Sequence, residues 1–233
     1  MKSHLRASIQ PGLESLRSLW KPFFAIQLLG LLLVLAYFYW PPVTAILDRI
    51  ALVKSHMGLM FAALTMPIAS GILPEVFKSM TGVARGWDRS RVTGTIHAAI
   101  LFGIMGVMVE LFYIWLNGTF GVSKTMGTVF IKMAIDQGLY SVFISVPLIA
   151  FSYTLRRHGY RLLASLREID WKWCIEEVLP ILVVSWCYWT PMCLLMYTLP
   201  PRITFIFGMI GSAACATLLT AVAGRARPDS ELN

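Results

Sequence analysis

Charged residues are scarce in this 233-residue chain, in which Asp, Glu, Lys and Arg make up 14% and hydrophobic residues 57%. A water-soluble domain carries a larger charged fraction to cover its surface, so this composition argues against a soluble enzyme or binding module. The apolar residues form runs of about 20 residues, the length with which a helix crosses a bilayer, and not the short alternating segments of a membrane barrel. The sequence therefore predicts an all-α fold, a polytopic transmembrane helical bundle.

Motifs of enzyme chemistry are also missing. No Gly-x-Ser-x-Gly, His-Glu-x-x-His or glycine-rich phosphate loop occurs, and the four cysteines show no Cys-x-x-Cys spacing. The cysteines lie in apolar segments, which indicates packing and not a disulfide framework or a metal site. Glu176 and Glu177 are adjacent, so on a helix they point about 100° apart and do not form a catalytic pair. We therefore expect no enzymatic activity, no cofactor and no metal.

Six apolar segments are visible along the chain, at 23–40, 57–73, 96–116, 126–155, 174–199 and 203–223. With the N-terminus inside, fifteen of the 20 Lys and Arg residues fall on the inner side and four on the outer side, while Lys132 lies within the fourth segment. This asymmetry predicts six spans, with both termini on the positive-inside face. Pro180 and Pro191 in the fifth segment are also compatible with an interfacial stretch followed by a shorter helix. The predicted number of spans is therefore four to six.

The net charge of +8 is explained by these basic loops, and no basic run is interleaved with aromatics, so we expect no nucleic-acid partner. We divide the chain into a polar basic segment (1–22), an extra N-terminal transmembrane helix (23–40), a helical membrane domain (57–223) and a C-terminal tail (224–233). The basic segment is typical either of a mitochondrial address or of a juxtamembrane anchor. We expect a multi-pass protein of the mitochondrial inner or another organelle membrane in a eukaryote, or of the cytoplasmic membrane in a bacterium.

Lys132 and Asp136 are the only charged residues in the fourth apolar segment. They are four residues apart, so on a helix they share a face and can form an ion pair. A charge near the middle of a bilayer costs roughly 2.5–3.5 kcal/mol. A charged pair in that position therefore indicates a functional or structural role. Together with Gln137 and Gly138, the pair either lines a pore or fixes the packing of two helices, and the sequence leaves both interpretations open.

Glu110 lies about 22 Å along the third segment, at a depth similar to that of Lys132 in the next one. We predict that Glu110, Lys132 and Asp136 form one polar cluster, although Glu110 could instead lie at the outer interface. Arg89 and Arg91 lie on an inner loop. They either fix the topology or form a basic vestibule that attracts anionic metabolites.

Three stretches resemble the Mpv-seventeen family of small peroxisomal and inner-mitochondrial membrane proteins. Lys132-Met-Ala-Ile-Asp136-Gln137-Gly138 is similar to that family's K-x-x-x-D-Q motif. The stretch from Gly106 to Tyr113 resembles its G-P-x-x-H-x-W-Y, with valine for the proline, glutamate for the histidine and phenylalanine for the tryptophan.

The third stretch resembles the family's W-P-x-x-Q-x-x-N-F-x-x-V-P followed by arginine. Trp189, Pro201 and Arg202 match, whereas Pro191 comes one place late. Cys193 stands for the glutamine, and Met196-Tyr197 for the asparagine-phenylalanine.

The resemblance covers roughly residues 57–222 and leaves the first apolar helix outside. It implies weakly selective passage of small solutes through a pore. It also implies four spans in this region, whereas the charge count gives five. We therefore predict a small channel with membrane lipids and small solutes as its partners. A proton-coupled carrier and a non-transporting membrane scaffold are the alternatives, and a homo-oligomer is left open.

Overall fold

The computed structural model describes residues 2–82, 86–122 and 125–225, with side chains from Trp20 to Thr217 except that of Pro22. Every regular element within these ranges is a helix, which confirms the predicted all-α class. The helices are α1 (Lys2–Tyr39), α2 (Pro41–Met57), α3 (Leu59–Met80), α4 (Arg89–Phe120), α5 (Met126–Arg157), α6 (Leu162–Arg167), α7 (Trp171–Tyr197) and α8 (Pro201–Arg225).

Four of these helices, α3, α4, α5 and α7, are long and apolar enough to cross a membrane. They correspond to the second to fifth predicted segments and make the chain a multi-helix membrane protein. The doubtful fifth segment is one 27-residue helix that contains Pro191 in its interior. Helix α8 contains the sixth segment. Because its side chains after Thr217 and the tail after Arg225 lie outside the described residues, a sixth span stays a prediction.

Pro41 and Pro42 end the first apolar helix, as the sequence indicates, because proline has no backbone N–H to continue it. The break is confined to Trp40, and α2 begins directly at Pro41, where proline suits the first helical turn. The Phe23–Tyr39 part of α1 and α2 meet at 97°, so they form either one broken span or a re-entrant pair. Helix α2 lies in a stretch that the sequence analysis treated as a loop.

Three membrane-length helices contain a π-helical segment, and each segment stands in the same relation to a proline. The segments are Pro67–Ile72, Asp136–Ser145 and Cys174–Val178, and each ends two residues before a proline, namely Pro74, Pro147 or Pro180. The residue directly before each proline donates its N–H to the carbonyl five residues earlier. Proline supplies no backbone N–H, so one helical hydrogen bond is missing at each of these positions. The π-helical segment ends there, and the α-helical winding resumes.

The chain forms two compact units, Met1–Phe24 with Lys124–Tyr197, and Ala25–Ser123 with Thr198–Asn233. In the first unit, α5 packs on α7 through an apolar core of Val146, Ala150, Trp173, Val178 and Leu182. In the second unit, α4 packs against α3, and α8 packs against α3 and α2. The domain division that we derived from the sequence stays a prediction.

Small residues bring α3 and α4 together in the second unit. A Cβ on Gly71 would lie 2.9 Å from the Ala99 backbone, and one on Gly106 would lie 2.8 Å from the Ala62 carbonyl oxygen. These separations are shorter than van der Waals contact, so only glycine permits this approach. Gly106 therefore has a packing role on α4. Among the described residues, a Cβ on Gly138 would meet no atom within 4 Å, so no close contact requires glycine there.

Candidate functional site

A buried carboxylate lies where α5 changes from α-helical to π-helical winding. Asp136 opens the π-helical segment and is 5% exposed, and its neighbour Gln137 is 6% exposed. Helix α7 contributes two more buried groups, Cys193 and Tyr197, which are one helical turn apart and so share a face. We call these four residues the carboxylate cluster.

All described donors to Asp136 are uncharged. The Tyr197 hydroxyl donates to Oδ2 at 2.5 Å, the Cys193 thiol to Oδ2 at 3.6 Å, and the Gln137 amide to Oδ1 at 3.2 Å. Burying an ionised carboxylate is very unfavourable unless donors replace its water, so these contacts are what allows it to remain in an apolar bundle. The cluster therefore joins α5 to α7 through polar contacts, in addition to the contacts of the apolar core.

Gln137 is only partly satisfied. Its side-chain Nε2 reaches Asp136 and also the Cys193 sulfur at 3.3 Å, and its backbone carbonyl accepts from Trp186 Nε1 at 2.9 Å. Its Oε1 is fully buried, and no donor among the described residues reaches it. A buried acceptor without a donor costs about 1–3 kcal/mol, so an unsatisfied oxygen in this position calls for an explanation.

Lys132 is buried on the same helix, with 4% of its surface exposed. The ion pair with Asp136 that their spacing predicts is not among the ion pairs described for this part of the chain, and that pairing stays a prediction. The sequence analysis singled out Asp136 and Gln137 as candidate site residues, and both side chains are buried. It did not single out Cys193 or Tyr197, which were mentioned only as departures from the family motif.

Glu110 belongs to the second unit, where its partner is a residue that the sequence analysis missed. Lys54 on α2 donates to Glu110 Oε1 at 2.5 Å, and its ammonium group lies 5.4 Å from the centre of the Phe205 ring. Glu110 is 8% exposed, so it does not lie at an open interface. Its Oε2 is buried, and no described donor reaches it. The single cluster of Glu110 with Lys132 and Asp136 stays a prediction.

Lys54 was assigned to a loop because α2 was not recognised as a helix. A signal was available, since Lys54 is one of only a few basic residues on the side that the charge asymmetry leaves poor in Lys and Arg. A lysine there, close in sequence to an apolar span, is a candidate partner for a carboxylate inside the bundle.

Arg91 is engaged within the protein and does not form the open vestibule that was one of its two expected roles. Its guanidinium donates to the Glu75 carboxylate at 2.9 Å and to the Glu75 carbonyl and the Ser79 hydroxyl at 2.7 Å each. It also lies 4.4 Å from the Trp87 ring centre. These contacts tie the start of α4 to the end of α3. Arg89 is exposed.

The remaining motif residues lie within the helices or at their ends, outside the carboxylate cluster. Tyr113 is buried on α4, Trp189 is half-buried on α7, and Pro201 begins α8. Arg202 forms an exposed ion pair with Asp48 at 3.2 Å. Across the described part of the chain, no three His, Cys, Asp or Glu side chains lie close enough together to hold a metal ion.

Comparison with known proteins does not identify a relative. No family model, no curated protein and no solved structure matches this chain. The resemblance to the Mpv-seventeen family therefore stays a prediction based on the three stretches.

Proposed function

We propose that this chain provides a path for small solutes across a membrane, and that the carboxylate cluster is a closed constriction in that path. The observation that carries the proposal is the unsatisfied Oε1 of Gln137, buried beside the Asp136 carboxylate. Both residues lie ten or eleven residues into α5, about 15 Å along the helix, a distance similar to half the thickness of a typical hydrocarbon core. A solute or water passing this level would find an acceptor ready for it.

The burial of the cluster favours a gated path over an open pore. Every member of the cluster is at most 6% exposed, whereas residues that line an open aqueous pore are in contact with water. The contacts that close the cluster are hydrogen bonds from neutral groups, which water or a polar solute can replace. A small displacement of α7 from α5 would then exchange these contacts for solute contacts.

Two stretches of the Mpv-seventeen resemblance meet in this cluster. Asp136 and Gln137 come from the first stretch, and Cys193 and Tyr197 come from the third. The meeting of distant motif residues at one buried site supports the view that the motifs serve a common purpose. It supports the passage of small solutes that the resemblance implies.

A proton-coupled carrier is the second candidate, and one observation favours it. Because all described donors to Asp136 are neutral, its carboxylate can take up a proton without leaving a described counter-charge unpaired. A carrier of this kind gives saturable uptake driven by a pH gradient, whereas a channel gives unitary conductance.

The proposal is tested by recording purified full-length protein in planar bilayers and by measuring solute uptake in liposomes. Wild type is expected to conduct, and Asp136→Asn is expected to shift the reversal potential toward lower cation preference. The control is Glu176→Gln, an exposed carboxylate on α7, which should leave both readings unchanged. Saturable, pH-driven uptake without unitary events would identify the carrier. If folded wild type gave no flux in either assay, the proposal would be refuted and the non-transporting scaffold would be the remaining alternative.

A further inference from the structure

The connection between α5 and α7 exposes apolar surface outside the membrane-length helices. Six large apolar side chains are exposed within twelve residues, and Trp171 and Leu163 are 79% and 75% exposed. The six are Tyr160, Leu162, Leu163, Leu166, Ile169 and Trp171. We call residues 158–172 the connecting segment.

The short helix α6 directs this apolar surface away from the protein. Ser165 is fully buried, and its hydroxyl donates to the Arg161 carbonyl at 3.0 Å, so the Ser165 side of α6 faces the first unit. With about 100° between successive residues, Leu163 lies roughly opposite Ser165. The apolar side is therefore the outward side.

Ion pairs hold the connecting segment against the ends of the two long helices. Arg157 at the end of α5 binds Glu177 of α7 at 2.8 Å and Glu168 at 3.5 Å, and His158 Nε2 lies 2.8 Å from Glu168. These ion pairs occupy the carboxylates of Glu168 and Glu177. The segment thus has a defined position, with the Glu168 carboxylate turned toward the end of α5.

The basic residues of the connecting segment are left on its surface. Arg161 and Arg167 are exposed, and neither takes part in an ion pair with the residues described. They stand on either side of the exposed leucines of α6. Apolar side chains flanked by arginines are the arrangement that binds at the boundary between headgroups and acyl chains.

We propose that the connecting segment lies in the bilayer interface and binds anionic phospholipid headgroups through Arg161 and Arg167. Its position requires this boundary, because both neighbouring helices are of membrane-spanning length and end within a few residues of it. Leu163 and Leu166 enter the acyl region, and the exposed Tyr160 and Trp171 occupy the interface that aromatic residues prefer. The charge of the two arginines selects anionic over zwitterionic lipid. The proposal does not depend on solute transport.

The test is native mass spectrometry of the full-length protein in detergent with added phosphatidylglycerol or phosphatidylcholine. Wild type is expected to bind phosphatidylglycerol more tightly than phosphatidylcholine, and raised salt should reduce that preference. An arginine near an anionic surface contributes about fivefold in affinity, so Arg161→Gln with Arg167→Gln should weaken phosphatidylglycerol binding by about 25-fold. Arg161→Lys with Arg167→Lys should retain most of it.

A matched control removes another exposed arginine, Arg49→Gln, which gives the same change in net charge as either single variant, Arg161→Gln or Arg167→Gln. This variant should keep the wild-type affinity for phosphatidylglycerol. Equal affinity of wild type for the two lipids would overturn the proposal even if the glutamine variant does not fold. So would displacement of the lipid by millimolar inorganic phosphate. A dimer that is lost in Leu163→Ser with Leu166→Ser, with unchanged lipid binding, would show that a second copy covers this surface instead.

Discussion

The hydroxyl of Tyr197 donates a hydrogen bond to the buried carboxylate of Asp136, although 61 residues separate them in the chain. This contact joins the last turn of α7 to the start of the π-helical segment of α5. It explains how a carboxylate is held in the interior of an apolar bundle, since tyrosine supplies a strong donor on an otherwise apolar side chain.

Replacing this donor should destabilise the first unit. Tyr197→Phe keeps the ring and removes one hydrogen bond to a charged acceptor, so we expect the free energy of unfolding to fall by about 1.5–3 kcal/mol. Unfolding in mixed micelles, followed by circular dichroism, measures the loss. The control is Tyr39→Phe, whose ring is 82% exposed and which should change stability by less than about 0.5 kcal/mol. Equal effects of the two changes would contradict a structural role for the contact.

The buried pair of Lys54 and Glu110 should behave differently from an exposed pair. Lys54→Met leaves a buried carboxylate without its described counter-charge, so we expect a loss of about 3–5 kcal/mol. Adding Glu110→Gln removes the stranded charge, and the double variant should be more stable than Lys54→Met alone. Unfolding of the single and double variants forms a double-mutant cycle that measures this coupling.

Arg202 and Asp48 supply the matched comparison for this cycle. Their ion pair also involves α2, which it joins to α8 and not to α4, but the arginine side chain is 60% exposed. Because solvent screens such a pair, Arg202→Met should cost less than about 1 kcal/mol. A cost for Arg202→Met as large as that for Lys54→Met would show that burial is not the deciding factor.

The close approach of α3 and α4 at Gly106 gives a prediction with a control on the same helix. In Gly106→Ala the new methyl would lie 2.8 Å from the Ala62 carbonyl oxygen and from the Met66 Cβ, which should cost about 1–3 kcal/mol through overpacking. In Gly118→Ala the methyl meets nothing within 4 Å, so this variant should gain up to about 1 kcal/mol from helix propensity. Thermal unfolding of both variants checks the opposite signs, and a stabilised Gly106→Ala would refute the packing argument.

The sequence was most informative where one strong physical effect acts alone. Long apolar runs predicted the membrane-length helices, and the two charged residues of one such run, Lys132 and Asp136, drew attention to this part of α5. The partners of Asp136 were harder to find, because Cys193 and Tyr197 are ordinary constituents of an apolar helix and only tertiary packing turns them toward a carboxylate. Helix α2 was missed for a related reason. Its mixture of charged and apolar residues is too polar for a span, and its helical state follows from the prolines that begin it and from its packing against α8.

The π-helical segments were not predicted, although the sequence contained a signal for them. Pro147 interrupts the backbone hydrogen bonding of the fourth segment, and the structure widens the helix before it. A proline removes one backbone donor, and a chain can accommodate that loss either by kinking or by changing the hydrogen-bond register. Local sequence does not decide between these responses. In α5 the wide winding begins at Asp136, whose contacts to α7 contribute to the choice.

This relation makes Pro147→Ala informative about the connection between stability and solute passage. Restoring the N–H removes the main obstacle to normal winding, so we expect the variant to be more stable by about 1–3 kcal/mol. Rewinding the ten-residue π-helical segment would rotate Asp136 and Gln137 relative to the helix that follows, and the proposed path should then conduct less. Pro74→Ala is the control, because it stands in the same relation to the π-helical segment of α3 and does not touch the carboxylate cluster. It should gain stability without loss of conductance. Equal loss of conductance in both variants would place the proposed constriction elsewhere, since only one of the two segments carries the buried carboxylate.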